Sequence, residues 1–418
     1  MSYPSNSSLL ARAWRSLAQK GPLGLGRDVR DYTRWRLGSG TSHVADRPPL
    51  PLSNWDLNGQ ELRTLPETLR SKPILVYAEA STRCNLHCFM CRLSFPETTR
   101  RVRQNMSLET FAKLEPLLEP GSRLSLFGLG EPLMNPDFVE MLRIAKERDV
   151  FVGLNSNAML LTEPIARAMV ELQQDLLMIS FSGGTKETYE RVITGANYER
   201  VLANLRRFNE IKRSAISDQR SAVSDQQSAV SSQYSALDIE QVKPVLELQY
   251  TAMRDNLQEI PDAVRLAIDL RCAGMVVMPL TVVNPSLEEQ SILDPELRSQ
   301  LAAVSEAARE VAATASYPFD LQLPSLITHH PSLICHEPWQ TFYVRDDGTV
   351  NCCCYSNRVL GDLKEQDALE VWNGELYRRF RARMRLEDKP AECRVCHKLC
   401  GGDEYDQRVD AEQFYDEL

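Results

Sequence analysis

Cysteine is the residue of this chain best suited to chemistry, and the eleven present do not scatter. Cys84, Cys88 and Cys91 form one tight C-x3-C-x2-C group. Cys335, Cys352, Cys353, Cys354, Cys393, Cys396 and Cys400 crowd the last quarter, and Cys272 stands alone. Thiolates spaced this closely ligate soft metals, with zinc and iron–sulfur clusters as the candidates. A structural zinc closes all four of its positions, and a ferredoxin-type cluster has four thiolates. Three thiolates without a fourth hold three corners of a [4Fe–4S] cube and leave one iron open to a small molecule. His87 lies inside the loop, where packing or a local bond suits it better than ligation. Cys272 reads as a buried small apolar residue.

Composition sets the surroundings of that chemistry. A hydrophobic fraction of 43% and a charged fraction of 25% describe a globular chain with enough material for a large core. The net charge of −9 argues against nucleic acid as a partner, because phosphate binding wants a basic surface. The longest apolar run, around Met275–Val283, contains Pro279 and Thr281, so no transmembrane span is expected. Arg12 and Arg15 interrupt the one candidate signal core, which makes a cytoplasmic location the expectation, where thiols stay reduced.

The cysteines must be positioned by the elements between them. Residues 1–70 read as an irregular basic extension rich in Pro and Arg, with eight Arg/Lys against three Asp up to residue 50. Within it Ser8–Lys20 could form a short amphipathic helix. From residue 74 short apolar runs predict strands at Ile74–Glu79, Arg123–Phe127, Val150–Asn155, Leu176–Phe181, Val245–Tyr250 and Gly274–Met278. Helices are predicted between them at Leu108–Leu118, Asp137–Arg148, Thr162–Gln173, Lys186–Lys212 and Leu257–Arg271. Six β/α units imply a parallel sheet wrapped by helices, doubly wound or a partial or full barrel, with its chemistry at the C-terminal strand ends. Ser214–Asp238 repeats every seven residues with one apolar pair per heptad. It lacks the two apolar positions of a coiled coil and reads as a frayed, low-complexity insertion whose deletion (214–237) leaves activity intact.

The segment Cys84-Asn-Leu-His-Cys88-Phe-Met90-Cys91 resembles the cluster loop of the radical S-adenosylmethionine (SAM) enzymes. The resemblance implies a partial (β/α)6 TIM-like barrel over residues 71–325, with a [4Fe–4S] cluster on Cys84, Cys88 and Cys91 whose open iron binds SAM. Met90 would offer its backbone to the adenine. Gly128-Leu-Gly130-Glu131 is similar to the family's Gly-Gly-Glu motif that meets the SAM amine. Glycines permit close backbone approach, and Glu131 can accept bonds from a cation. Asn155-Ser156-Asn157 ends the third strand, similar to the family's polar strand end, which implies ligand contacts for Asn155 and Asn157. Ser180 and Ser182, on the fourth, lie where relatives show Ser-x-Asp-Gly, so Ser182 replaces an Asp. Ile193 stands where an Arg is usual.

Further on, Cys335-His-Glu-Pro-Trp leads into a strand, and Asp346-Asp347-Gly348-Thr349 is a hairpin signal. Cys352-Cys353-Cys354 falls on the predicted return strand, where alternation would turn Cys353 away from its two neighbours. Residues 326–418 resemble the SPASM/twitch extension, a small β-hairpin/helix iron–sulfur domain, here with an acidic tail. The spacing Cys335-x12-Gly348-x4-Cys353 matches that pattern, which implies one auxiliary [4Fe–4S] cluster on Cys335, Cys353, Cys393 and Cys396. Cys400, Cys352 and Cys354 stay open as alternatives, as does a structural zinc at the same place.

The family's chemistry is reductive cleavage of SAM to a 5′-deoxyadenosyl radical that abstracts hydrogen from a substrate. The extension implies an oxidation or modification of a peptide or protein, with the auxiliary cluster as electron acceptor and an external one-electron donor of flavodoxin or ferredoxin type. Two alternatives stand beside it: a dehydrogenase of a small molecule such as an aminosugar, and a non-catalytic iron–sulfur or zinc scaffold. No residue is identified as catalytic acid or base; His329 and His330 read as loop residues.

Overall fold

Short apolar runs followed by amphipathic stretches fold as alternating strands and helices in the computed structural model, which describes residues 53–95, 101–224, 239–292, 294–324 and 334–385 together with Lys389, Pro390 and Cys393. Strands β1 (Leu75–Ala78), β2 (Arg123–Leu126), β3 (Phe151–Ser156), β4 (Leu176–Ser180), β5 (Val245–Ala252) and β6 (Gly274–Pro279) pair in parallel in chain order. Helices α1 (Asn54–Thr64), α2 (Leu108–Ala112), α3 (Phe138–Lys146), α4 (Glu163–Glu171), α5 (Lys186–Val192), α6 (Tyr198–Ser224) and α7 (Ile260–Asp269) precede or connect them. The expected partial barrel is therefore present as an open, mostly parallel sheet with crossover helices.

The sheet continues past both expected edges. β7 (Asp320–Gln322) follows α8 (Arg298–Ala312) and adds beside β6. At the other edge β8 (Thr341–Val344) pairs in parallel with β1, Leu75 standing opposite both Arg123 and Thr341. β9 (Thr349–Asn351) and β10 (Gly361–Asp362) then add antiparallel, which makes ten strands among the described residues. The C-terminal hairpin thus extends the barrel sheet itself.

Helix faces cover one side of this sheet. Phe138, Met141, Leu142 and Ala145 of α3, and Ile260, Ala263, Val264 and Ala267 of α7, are buried against strand residues such as Val152, Leu154, Leu246 and Leu248. Parallel strands buried on both faces read as continuous apolar runs, but β5 alternates. Leu246, Leu248, Tyr250 and Ala252 are buried, whereas Glu247, Gln249 and Thr251 on the other face are only half-buried. A polar, incompletely covered inner face is what a sheet needs to hold a ligand.

Four expectations change. The helix expected over 186–212 is two, because Gly195 takes a left-handed φ of 90° after α5 and Asn197 Oδ1 accepts the Arg200 N–H to start α6. The helix expected to Leu118 stops at Ala112, and Pro116 closes a 3-10 turn instead. The backbone of α6 runs through Ser224 and Ala215 packs on the core, so the repeat begins as a continuation of that helix; 225–238 lie outside the described residues. Within the expected irregular extension 1–70, α1 is a formed helix. Its buried positions are the polar Asn58 and Glu61, which an apolar pattern cannot reveal. Asn58 Nδ2 donates to the Trp339 carbonyl at 2.6 Å, and Glu61 accepts the Arg70 and Ser71 N–H groups. Ser8–Lys20 lies outside the described residues.

Candidate functional site

The loop after β1 carries the first thiol group. It is strapped on two sides. His87 N–H donates to the Thr194 carbonyl at 3.0 Å and Phe89 N–H to the Val192 carbonyl at 3.3 Å, which ties the loop to the end of α5. Inside it, Cys91 N–H and the Ser94 hydroxyl both reach the Cys88 carbonyl, at 3.0 and 2.7 Å. Met90 lies in this loop, half-buried against the core. Burial pushes the Cys84 thiol up to about 11 and the Cys88 thiol up to about 12, and neighbouring thiolates add to both. Cys91 is raised for the same first reason, opposed by the Arg92 and Arg103 guanidinium groups. Three mutually repelling, partly buried thiols ionise only beside strong positive charge, which a metal centre supplies. Among the described residues, no three Cys, His, Asp or Glu side chains are drawn in as closely as one ion needs.

The segment after β2 closes over this loop. Gly130 N–H donates to the Ser81 carbonyl at 3.1 Å and Glu131 N–H to the Arg83 carbonyl at 2.8 Å. The glycines face the protein's own chain: a Cβ on Gly130 would stand 2.4 Å from the Ser81 and Arg83 carbonyl oxygens, and one on Gly128 2.2 Å from Glu79 Cγ. Glu131 is buried, and its carboxylate is held from three directions. Oε1 accepts the Leu133 N–H at 3.1 Å and the Ser156 hydroxyl at 2.8 Å, and Oε2 accepts the Asn157 N–H at 2.8 Å. Burial pushes its carboxyl up while these bonds favour the charged form. Ala158, which follows Asn157, has a left-handed φ of 58°, a strain of about 1–2 kcal/mol for a non-glycine residue, and its N–H donates to the Ser156 hydroxyl oxygen at 3.0 Å. Ser156 was not singled out by the sequence; its position between two asparagines at a strand end was the available signal.

Asn157 Nδ2 donates to Asn85 Oδ1 at 3.0 Å, joining β3 to the residue beside Cys84. Asn155 Nδ2 donates to Gln249 Oε1 at 2.7 Å, and Gln249 Nε2 reaches Met278 Sδ at 3.5 Å, an amide chain across the strand ends of β3, β5 and β6. Ser180 ends β4, half-buried and in register with Gln249. Ser182 is buried and its hydroxyl oxygen accepts the Thr251 N–H at 3.0 Å, so it stitches β4 to β5. Ile193 is buried at the end of α5.

Near the hairpin the geometry departs from expectation. β9 ends at Asn351, so the three consecutive cysteines do not alternate across a strand. Asn351 Nδ2 donates to the Ser356 carbonyl at 2.6 Å and closes a turn, within which the Cys352 and Cys353 sulfurs approach to 3.9 Å. Cys353 is drawn below its usual range, first by the Cys352 thiol and also by the Tyr355 and Ser356 N–H groups. Cys393 bears on Cys352, whereas Cys354 bears on Tyr343. Cys335 precedes α9 (Glu337–Gln340) and, with Cys353 and Cys393, packs half-buried on the core. Cys396, Cys400, His329 and His330 lie outside the described residues.

A charged bridge that the sequence did not suggest joins the two regions. Arg101 pairs with Glu79, at the end of β1, at 2.6 Å, and with Asp346 in the β8–β9 turn. Asp346 also accepts the Thr82 hydroxyl. In sequence Asp346 looked only like a turn residue.

Residues 79–218 match the family model described as the radical SAM superfamily, and residues 335–397 match SPASM, described as an iron–sulfur cluster-binding domain. The PqqA peptide cyclase of Gluconobacter oxydans is 25% identical over 342 residues, covering 79% of this chain and 84% of its own. The AdoMet-dependent heme synthase of Methanosarcina barkeri is 24% identical over 358 residues, covering 80% and 92%. Among solved structures, Streptococcus suis SuiB bound to its precursor peptide SuiA superposes with a TM-score of 0.56 at 16% identity, over 90% of this chain and 82% of that one. The first domain brings SAM and a [4Fe–4S] cluster as cofactors, and the second brings auxiliary iron–sulfur ligation. The chain thus carries a radical SAM superfamily domain followed by a SPASM domain.

Proposed function

We propose that the chain is a radical SAM enzyme that oxidises or otherwise modifies a peptide or protein, with Cys84, Cys88 and Cys91 as ligands of the SAM-binding cluster. When bound, the cluster supplies the electron that cleaves SAM, and the 5′-deoxyadenosyl radical so formed takes a hydrogen atom from the substrate. The observation that carries this reading is the convergence of the three thiols with the buried Glu131 carboxylate, which bears electrostatically on Cys84 and Cys88.

The remaining work belongs to the chain. Glu131, fixed by Ser156, Leu133 and Asn157, is poised as the acceptor for the SAM ammonium. Gly128 and Gly130 seat their segment on Glu79 and the cysteine loop, so Glu131 is fixed relative to the thiols. Asn155, Asn157 and Ser180 line the strand ends where the rest of SAM would lie, Ser182 holds β4 to β5, and the Met90 backbone would border the adenine. Helices and the buried core close the back of the sheet, and bound substrate would have to complete the cover of its polar inner face, because a reactive carbon radical requires water to be excluded. Cys335, Cys353, Cys393 and Cys396 would hold one auxiliary cluster as electron acceptor, and an external flavodoxin- or ferredoxin-type donor would reduce the first.

Similarity to a peptide cyclase over four-fifths of the chain supports a peptide substrate. Comparable similarity to a heme synthase favours a second reading, a small-molecule substrate. Anaerobic reconstitution tests the enzyme: about eight irons per chain are expected from two cubanes, with 5′-deoxyadenosine formed from SAM under reductant. Cys88→Ala should lose about half of that iron and all of that product. SAM left uncleaved by a fully loaded chain would refute the reading.

A further inference from the structure

Tyr189 is fully buried, and among the described residues its hydroxyl has no hydrogen-bond partner. An unpaired buried hydroxyl costs about 1–3 kcal/mol unless something completes it. Its ring is fixed on three sides. It stacks on Phe181 at 4.4 Å between centroids and meets Tyr198 edge-on at 5.6 Å, and its own helix α5 supplies the third. That helix is the one to which the cysteine loop is strapped. Val192, one turn beyond Tyr189, accepts the Phe89 N–H, and Thr194 accepts the His87 N–H, so the residues on either side of Cys88 are both tied to it. After burial itself, the Cys88 thiol is the group that bears most strongly on the Tyr189 hydroxyl.

We infer that the Tyr189 hydroxyl donates a hydrogen bond to the Cys88 sulfur when that sulfur ligates the SAM-binding cluster, and so raises the cluster's reduction potential. This rests on the assignment of Cys88 as a ligand. The physical argument is one of sign. A thiolate on iron is an acceptor, and the phenol has a proton and no other taker. Reduction adds negative charge to the cluster, so a donor to its sulfur stabilises the reduced form more than the oxidised one. No atom is transferred. Tyr189 acts through the ligand as a positioned donor, its ring held by Phe181 and Tyr198.

The test is an EPR-monitored redox titration of the reconstituted full chain, wild type against Tyr189→Phe, following the cluster signal that changes on adding SAM. The expected result is unaltered iron content and an approximately tenfold lower reduced-to-oxidised ratio at the wild-type midpoint. A deuterium-exchangeable proton coupling seen by ENDOR in wild type should vanish in the variant. A SAM-responsive cluster whose potential and exchangeable couplings ignore the substitution overturns the inference while leaving the ligand assignment in place. Absence of that coupling from wild type alone does the same, without relying on the variant's folding. A wild-type chain with no SAM-responsive cluster overturns both.

Discussion

Asp346, in the turn between β8 and β9, accepts the hydroxyl of Thr82, two residues before Cys84, across 264 residues of sequence. With Arg101 paired to Asp346 and Glu79, the two cysteine regions share one buried electrostatic contact. Removing one member of a buried charged network costs more than the network is worth net, because its partners are left unpaired. Asp346→Ala should therefore destabilise the apo chain by about 2–3 kcal/mol in urea unfolding. A loss within error of zero would show that the bridge is only a surface pair.

Glu131→Gln keeps the shape of the side chain but replaces one acceptor oxygen with a donor that faces the Asn157 N–H or the Ser156 hydroxyl. SAM binding to the reconstituted chain, measured by equilibrium dialysis, should weaken by about 10–100-fold. Ser156→Ala, which removes one supporting bond, should weaken it about fivefold. Equal affinity in all three proteins would remove Glu131 from the SAM site.

Gly130→Ala pushes a methyl group onto two backbone oxygens that cannot swing away, those of Ser81 and Arg83. Either the ladder between residues 81–83 and 130–131 breaks or the cysteine loop moves. We expect a destabilisation of about 1–3 kcal/mol and reduced iron uptake, read by thermal melting and iron assay. Normal values for both would show that the close approach is not required.

Lys212 is buried at the end of the strand layer away from the thiols, over the Phe208 ring and near Cys272 and Glu240. Burial pushes its ammonium from 10.5 down to about 7. Between those two pH values the unfolded chain binds the extra proton, so stability rises with pH across the window and is lowest at and below about 7. Lys212→Met should raise stability by about 1–3 kcal/mol at pH 7, with the gain shrinking towards pH 10. Parallel stability curves for the two proteins between pH 7 and 10 would contradict this.

The sequence revealed the six parallel strands because their apolar runs are short and bounded, and it placed Cys84, Cys88 and Cys91 after the first of them and Glu131 after the second. The chemistry-bearing spacings were legible because metal ligation constrains them locally. Contacts between distant residues were not. Arg101 is one of several basic residues in its stretch, and its partners Glu79 and Asp346 lie on opposite sides of it in sequence. Asn58 and Glu61 look like solvent residues on a weakly patterned helix, yet they dock α1 on Trp339 and Ser71. The cysteine triplet was misread as strand because the β9 pattern gives no sign of its end at Asn351; the turn is set by a side-chain amide bond to Ser356.

The parallel pairing of β8 with β1 also orders events in time. β1 is made early, but its outer edge has no partner until Thr341–Val344 leaves the ribosome. Closing so long a loop is slow, and an unpaired parallel edge is prone to association with other chains. The thiol loop that follows β1 therefore stays uncovered on that side through most of synthesis. A ribosome stalled before Thr341 would thus hold a nascent chain whose β1 edge is open beside the thiol loop.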